Sequence, residues 1–90
     1  MHRINKDHIF QFTRIQKIIL ALFKNNHELI LKKLSKESNV TYSYLSLLIN
    51  NLEEKGLVDK KYDGRIVKIK LTKKGIEFGE LLKKCEVFLK

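Results

Sequence analysis

The most informative part of the sequence is residues 51–75, which read NLEEKGLVDKKYDGRIVKIKLTKKG. Within it, two segments of alternating apolar and polar residues, 57–62 and 65–71, flank the dipeptide Asp63-Gly64. Such alternation is typical of β-strands, and Asp-Gly is a favoured pair for a two-residue type I′ turn. We therefore expect a β-hairpin here. The cross-strand pairs that this loop predicts are Tyr62 with Arg65, Asp59 with Lys68, and Val58 with Ile69.

Helical patterns lie on both sides of this hairpin. Thr41 is the expected cap of a helix that ends near Lys55, and Gly56 follows at the position where a positive φ is common. Thr72 is the expected cap of a last helix after the hairpin. The inward stripe predicted for the helix before the hairpin is Leu45, Leu48, Ile49 and Leu52.

A capping box marks the first helix of the chain. Thr13 and Gln16 stand three residues apart, so that each side chain can bond the backbone N–H of the other. Apolar residues follow at helical spacing, which predicts a helix over 13–25, although an earlier start near Asp7 stays open.

Short elements follow one another closely between this helix and Thr41. Residues 28–31 fit either a short strand or the entry into a short helix, which is expected over 31–38. Asn39 follows this helix and belongs to the few residue types that tolerate a left-handed backbone. Residues 38–40 are therefore predicted to form a tight turn.

The charge of the chain is strongly positive and unevenly distributed. Its 90 residues contain 19 Lys and Arg against 10 Asp and Glu, a net charge of +9. Residues 55–74 hold eight basic and two acidic side chains, so this segment alone contributes +6. Such a balance indicates a polyanionic partner, nucleic acid before membrane, although an ordinary solvated face is the alternative.

Several classes of protein are excluded by the composition. The longest apolar run is residues 18–23, too short for a membrane span or a signal peptide. Cys85 is the single cysteine, so no intramolecular disulfide can form. The sequence has no glycine-rich phosphate loop and no nucleophile beside a base, so we expect no enzyme, no metal and no cofactor. A cytoplasmic location is expected, in the host if the protein is viral.

The order helix, short helix, tight turn, helix, basic hairpin, helix is the layout of a winged helix-turn-helix. We expect a mainly α fold with a small β-hairpin, in which a three-helix core carries a two-stranded wing and a C-terminal helix. At this length it is one domain, 1–90, with an N-terminal arm over 1–12 and the last helix over 73–90. The basic segment then lies on the wing.

Residues around the hairpin resemble the MarR-type winged-helix transcription regulators. In that family a leucine, an acidic pair, a basic residue, glycine, leucine and valine end the recognition helix, and residues 52–58 read LEEKGLV. An aspartate-arginine wing tip and a Leu-Thr-x-x-Gly run follow, as in Asp63-Gly64-Arg65 and the LTKKG of residues 71–75. The resemblance covers about residues 29–79. The wing and the terminal helices are shorter here than in that family.

The resemblance implies a set of DNA-binding residues on the third helix. Asparagine pairs with adenine, serine with either base type, and leucine can touch a thymine methyl. The helix has no Lys or Arg before Lys55, so phosphate contacts must come from the second helix and the wing. The predicted DNA-binding residues are Lys32, Lys33, Tyr42, Ser43, Tyr44, Ser46, Leu47, Asn50, Lys60, Lys61, Arg65 and Lys68.

Other roles stay open for some of these side chains. Tyr42 and Tyr44 could instead pack against the second helix, and Arg65 could stack on Tyr62 as its cross-strand neighbour. Ser43, Ser46 and Asn50 could be ordinary surface residues.

Duplex DNA is the expected partner, and the expected function is sequence-specific transcriptional regulation, most simply repression. An architectural protein that coats DNA and a winged-helix protein-interaction module are the alternatives. Apolar residues on the last helix predict a homodimer, with help from Ile9, Phe10 and Phe12. The predicted dimer residues are Phe78, Leu81, Leu82, Cys85, Phe88 and Leu89. A small-molecule effector stays open, and the Lys, Ile and Asn content suggests a prokaryotic or viral source.

Overall fold

The computed structural model describes the backbone of residues 6–89 and the side chains of residues 12–88. These residues form a winged helix-turn-helix, which confirms the expected mainly α fold. In chain order the elements are α1 (Lys6–Lys24), β1 (Glu28–Ile30), α2 (Leu31–Ser38), α3 (Tyr42–Glu54), β2 (Val58–Asp63), β3 (Ile66–Leu71) and α4 (Lys73–Leu89).

The first helix begins earlier than the capping box predicts. Thr13 lies inside α1 rather than at its start, so the predicted cap is wrong and the open alternative of an early start is correct. Extending an existing helix adds one hydrogen bond per residue without a new nucleation cost, and no glycine or proline interrupts residues 6–12. Part of the predicted arm is therefore helical, whereas residues 1–5 lie outside the described residues.

The turn between α2 and α3 forms as predicted. Asn39 adopts a left-handed conformation with φ of 57°. The Ser35 hydroxyl donates to the Val40 carbonyl at 2.6 Å, and the Val40 N–H donates to the Ser35 carbonyl at 3.2 Å, which holds the turn closed. Thr41 occupies the position before α3, but its side chain makes no capping hydrogen bond to the described residues, so that expected contact is wrong.

The sheet has three strands rather than the two expected for the wing. Residues 28–30 form β1, and the strand order is β1-β3-β2 with antiparallel pairing. Leu29 is buried opposite Ile69, so this strand is stabilised by the core that it helps to cover.

The hairpin has a two-residue loop, but the loop is Gly64-Arg65 and not Asp63-Gly64. Gly64 has φ of +62°, whereas Asp63 lies in β2 and has no positive φ. Of the two loop residues, only Gly64 has a positive φ, which fits a type II′ turn. The predicted type I′ turn at Asp63-Gly64 would have required a left-handed backbone at Asp63, and the observed loop avoids it. The observed pairs are Tyr62 with Val67, Asp59 with Lys70, and Val58 with Leu71.

Compared with the predicted register, each residue of β2 pairs with a residue two positions later on β3, so every side chain still lies on the predicted face of the sheet. One face of the sheet covers the helices with Val58, Ile69 and Leu71, which join buried residues of α1 and α3 in one core. The last strand leads directly into α4, whose predicted cap is confirmed: Thr72 Oγ1 accepts a hydrogen bond from the Gly75 N–H at 3.1 Å.

The domain is elongated, with principal extents of 49 × 25 × 23 Å. Leu82 is buried against the core, and α4 continues for seven residues after it. Within the described residues, no helix is both long and apolar enough to cross a membrane.

Candidate nucleic-acid interface

The third helix presents one polar and one apolar face. Its inner stripe, Leu45, Leu48, Ile49 and Leu52, is buried as predicted. On the opposite face, Ser43, Leu47 and Asn50 are exposed and stand four and three residues apart, so they form one stripe along the helix. Leu47 is 68% exposed, so its side chain is accessible to a partner.

Two of the predicted residues on this helix are partly covered by the rest of the protein. Tyr44 is half-buried, and the guanidinium carbon of Arg14 in α1 lies 5.0 Å from the centre of its ring. It therefore packs on the α1 side of the helix, whereas the alternative considered for it was packing against the second helix. Ser46 is half-buried, and its side chain faces the groove between α3 and the wing.

A groove separates α3 from the inner face of the wing. On the wing side, Lys60 and Tyr62 extend from β2, and on the helix side Tyr42 and Asn50 extend from α3. Residues two apart on a strand share a face, so Lys60 and Tyr62 share the face of buried Val58. The complete lining is Leu31, Tyr42, Ser46, Ile49, Asn50, Lys60, Tyr62 and Val67.

Lys60 spans this groove and contacts α3. Its Nζ donates a hydrogen bond to Asn50 Oδ1 and lies 3.7 Å from the Glu53 carboxylate. The same nitrogen is 5.9 Å from the centre of the Tyr62 ring, and the Lys60 side chain is only 18% exposed. Predicting Lys60 as a solvent-facing phosphate contact missed this orientation, which the alternation from Val58 could have revealed.

The outer face of the sheet carries the other basic residues of the wing. Lys61 and Lys68 stand directly opposite each other on β2 and β3, a pairing of like charges that costs stability in the free protein. Asp59 faces Lys70 on the same outer side, at one of the observed cross-strand pairs. The sheet thus has an inner face directed at α3 and an outer face on which three lysines, Lys61, Lys68 and Lys70, lie among three carboxylates, Glu28, Asp59 and Asp63.

Arg65 stands at the exposed tip of the wing. Tyr62 pairs with Val67, and the cation near its ring among the described residues is Lys60, so the structure does not support the alternative in which Arg65 stacks on Tyr62 as its cross-strand neighbour. With Ile66, Arg65 forms one wall of a second groove whose opposite wall includes Lys32 and Tyr42. Tyr42 is 52% exposed, so its ring is available at the point where the two grooves meet.

The lysines of the second helix flank the same surface. Lys32 and Lys33 are both exposed. Lys33 lines a depression with Lys68 on the side of the sheet, whereas Lys32 lines the groove beside Arg65. Lys32 and Arg65 therefore lie beside Tyr42, at the start of a helix that has no basic residue of its own.

The sequence profile of the winged helix DNA-binding domain matches residues 12–75. The chain belongs to this family. The match covers α1 to the start of α4, so the winged helix domain includes both α3 and the wing. Proteins of this family bind DNA rather than catalyse a reaction, which agrees with the expectation of no enzyme.

Solved structures place this winged helix domain among MarR-like proteins. AF1382 from Archaeoglobus fulgidus superposes with a TM-score of 0.79 at 22% identity, over 83% of this chain and 86% of that one. The MarR family transcriptional regulator SPO1453 from Silicibacter pomeroyi gives 0.70 at 25% identity, over 89% and 60%. FabT from Streptococcus pneumoniae, solved in complex with DNA, gives 0.68 at 26%, over 82% and 54%. No curated protein sequence matches the chain.

The match to this chain covers 60% of SPO1453 and 54% of FabT, so part of each regulator has no counterpart in it. The confirmed part of the sequence prediction is a winged helix DNA-binding domain that is similar to MarR family transcriptional regulators.

The predicted dimer residues of α4 divide into two groups. Leu82 is 5% exposed and belongs to the core, so it faces the protomer itself and is not available to a partner. Phe78, one turn earlier, packs against the same core. Leu81, Cys85 and Phe88 form an exposed stripe at four- and three-residue spacing. Phe12 is exposed, whereas the side chains of Ile9, Phe10 and Leu89 lie outside the described residues.

Proposed function

We propose that this protein is a sequence-specific double-stranded DNA-binding regulator that represses transcription. The observation that carries the proposal is the exposed stripe of Ser43, Leu47 and Asn50 on α3, next to a groove in which Lys32 of α2 and Arg65 of the wing lie with Tyr42. A stripe of this kind can contact base edges, while the flanking cations contact phosphates and set the register. FabT and MarR from E. coli, two similar structures, were solved with DNA bound.

In the proposed complex, α3 lies in the major groove. Ser43 and Asn50 are placed to hydrogen-bond base edges, and Leu47 to contact a thymine methyl group. Tyr42 lies beside this stripe and can donate its hydroxyl to a phosphate. Tyr44 and Ser46 are assigned no direct contact, because both are partly covered by the protein.

Phosphate binding is assigned to five cations, of which Lys68 is half-buried and the other four are exposed. Lys61, Lys68 and Arg65 of the wing and Lys32 and Lys33 of α2 neutralise the backbone on either side of α3. The pairing of Lys61 with Lys68 supports this role. The two like charges repel each other in the free protein, and a bound phosphate would relieve that repulsion. Lys60 is not included, because its ammonium faces Asn50 and Glu53.

The proposed regulator is a homodimer. Leu81, Cys85 and Phe88 extend past the core on α4, where a second copy would cover them. A two-fold axis at this helix would place two α3 helices about 34 Å apart, one turn of DNA, and the dimer would read a palindrome. Binding across a promoter would then exclude the polymerase, which is the simplest form of repression.

Selection of bound sequences from a random duplex pool at about 0.15 M salt tests the proposal. We expect a palindromic consensus bound at least roughly 10³-fold more tightly than unrelated DNA. Salt-dependent binding without a consensus would instead identify an architectural protein that coats DNA. Absence of salt-dependent binding would identify a protein-interaction module and overturn the proposal.

A further inference from the structure

The contact between the wing and α3 fixes the orientation of one side chain on the proposed recognition face. Lys60 Nζ donates a hydrogen bond to the amide oxygen of Asn50. An ammonium has donors only, so it selects the oxygen end of the carboxamide and turns the NH₂ end away. Asn50 is exposed, and its Nδ2 is the end that it can offer to a base.

This orientation conflicts with the usual reading of adenine by asparagine. Recognition of adenine uses both ends of the carboxamide, with Oδ1 accepting from the N6 amino group and Nδ2 donating to N7. In this protein, an ammonium already stands at Oδ1. The amino group of adenine is itself a donor, and it would have to approach Oδ1 next to the N–H groups of Lys60. The two-bond arrangement is therefore disfavoured while Lys60 holds its position.

Lys60 is held in this position by several contacts. Its ammonium lies 3.7 Å from the Glu53 carboxylate and 5.9 Å from the centre of the Tyr62 ring, in addition to the bond with Asn50. The side chain is 18% exposed and extends from the inner face of the wing. Lys61 on the outer face is exposed and carries the same charge, so phosphate binding does not require Lys60 to leave.

Guanine fits the resulting surface. Its major-groove edge presents two acceptors, N7 and O6. The NH₂ group of Asn50 presents donors only, and the ammonium of Lys60 occupies the amide oxygen that would otherwise accept. We propose that Lys60 is a specificity-determining positioning residue, which makes Asn50 a donor to guanine in place of a reader of adenine. The inference rests on the proposed function, because it assumes that α3 enters the major groove.

The test compares the consensus sequences selected by the wild type, Lys60→Met and Lys61→Met under the same salt. Methionine keeps an unbranched chain beside Tyr62 and removes the donors. We expect guanine at one position of each half-site for the wild type and adenine at that position for Lys60→Met. The relative preference should change by about fivefold or more. Lys61→Met removes the same charge from the outer face, and it should weaken binding while keeping guanine.

Asn50→Ala provides a second variant whose folding is not in question, because the residue is exposed on a helix. It should lose the guanine preference, and adding Lys60→Met to it should change no base further, since the two residues act through one contact. Selection of adenine by the wild type, retention of guanine by Lys60→Met, or retention of guanine by Asn50→Ala would each overturn the inference alone. Absence of any consensus for the wild type would overturn the proposed function together with it.

Discussion

The carbonyl oxygen of Leu57 lies 2.0 Å from the point where a Cβ on Gly75 would stand. The first turn of α4 thus packs directly on the backbone at the base of the wing. The same carbonyl accepts a hydrogen bond from the Thr72 N–H at 3.1 Å, and the Thr72 hydroxyl donates to the Gly56 carbonyl. The LTKKG run is therefore a joint between α4 and the wing, and its glycine is required by the close approach.

Gly75→Ala should destabilise the domain strongly. The added methyl group would meet a backbone atom, which side-chain rotation cannot relieve, so α4 or the wing has to shift. We expect a loss of about 2 kcal/mol or more in the free energy of unfolding, although alanine is the better helix former. Denaturant unfolding measures this loss, with Glu77→Ala on the exposed side of α4 as the control. Equal midpoints for Gly75→Ala and the wild type would contradict the close approach.

Gly64→Val and Asp63→Val distinguish the two possible hairpin loops. Valine at a φ of +62° is strained, so Gly64→Val should distort the wing tip and lower DNA affinity more than it lowers the melting temperature. Asp63 lies in extended β2, where valine is favourable, so Asp63→Val should not lower the melting temperature. Thermal melts and duplex titrations measure both effects. Comparable damage from the two substitutions would favour the type I′ loop instead.

Lys61→Thr and Lys68→Thr should have opposite effects on stability and on binding. Each removes one member of a like-charged pair, so the melting temperature should rise, whereas the dependence of log affinity on log salt should flatten by about one unit. The double variant should gain little further stability, because the first substitution has already removed the repulsion. Lys84→Ala, on exposed α4, should leave the salt dependence unchanged. A loss of affinity without a change in salt slope would contradict phosphate contacts.

Ser43→Ala and Arg65→Ala should separate base reading from phosphate binding. Ser43→Ala should change the preferred base at one position by ~1–3 kcal/mol, because a base-edge hydrogen bond is lost. Arg65→Ala should weaken binding to all duplexes alike. Tyr44→Phe is the control, since the Tyr44 ring packs beside Arg14 of α1 and should not alter the preference. A consensus that Ser43→Ala leaves unchanged would show that the recognition face is assigned incorrectly.

The sequence predicted those parts of the fold that local chemistry determines. The left-handed turn at Asn39 and the glycine after α3 follow from backbone preferences of single residues, and the inner stripe of α3 follows from its period. The strand β1 was left open because three residues form a strand only through pairing with β3, which is a tertiary contact. The predicted helix start at Thr13 was wrong because a capping box is a local signal, and a helix that begins earlier can continue through it.

The candidate site was predicted less completely than the fold. Exposure of Ser43, Leu47 and Asn50 followed from the helical period, but the role of Lys60 depends on which face of β2 it occupies. A lysine on the face of buried Val58 is an exception to the rule that alternation separates apolar from charged residues. Only the packing of the wing against α3 shows that the groove contains an acceptor for it.

Leu81→Glu and Phe88→Glu should convert a dimer into folded monomers. Leu81 is 60% exposed and Phe88 88% exposed, and both lie on one stripe with Cys85, so a buried carboxylate at either position would oppose association without disturbing the protomer. Val87→Glu is the matched control, because Val87 is exposed on another side of the same helix. Leu82→Glu should instead unfold the protein, since that side chain belongs to the core. Sedimentation at micromolar concentration measures the mass, with circular dichroism as the check of folding. A mass near 10.7 kDa for the wild type would contradict the dimer. Monomers that bind the palindrome as tightly as the wild type would show that α4 does not set the spacing of the two recognition helices.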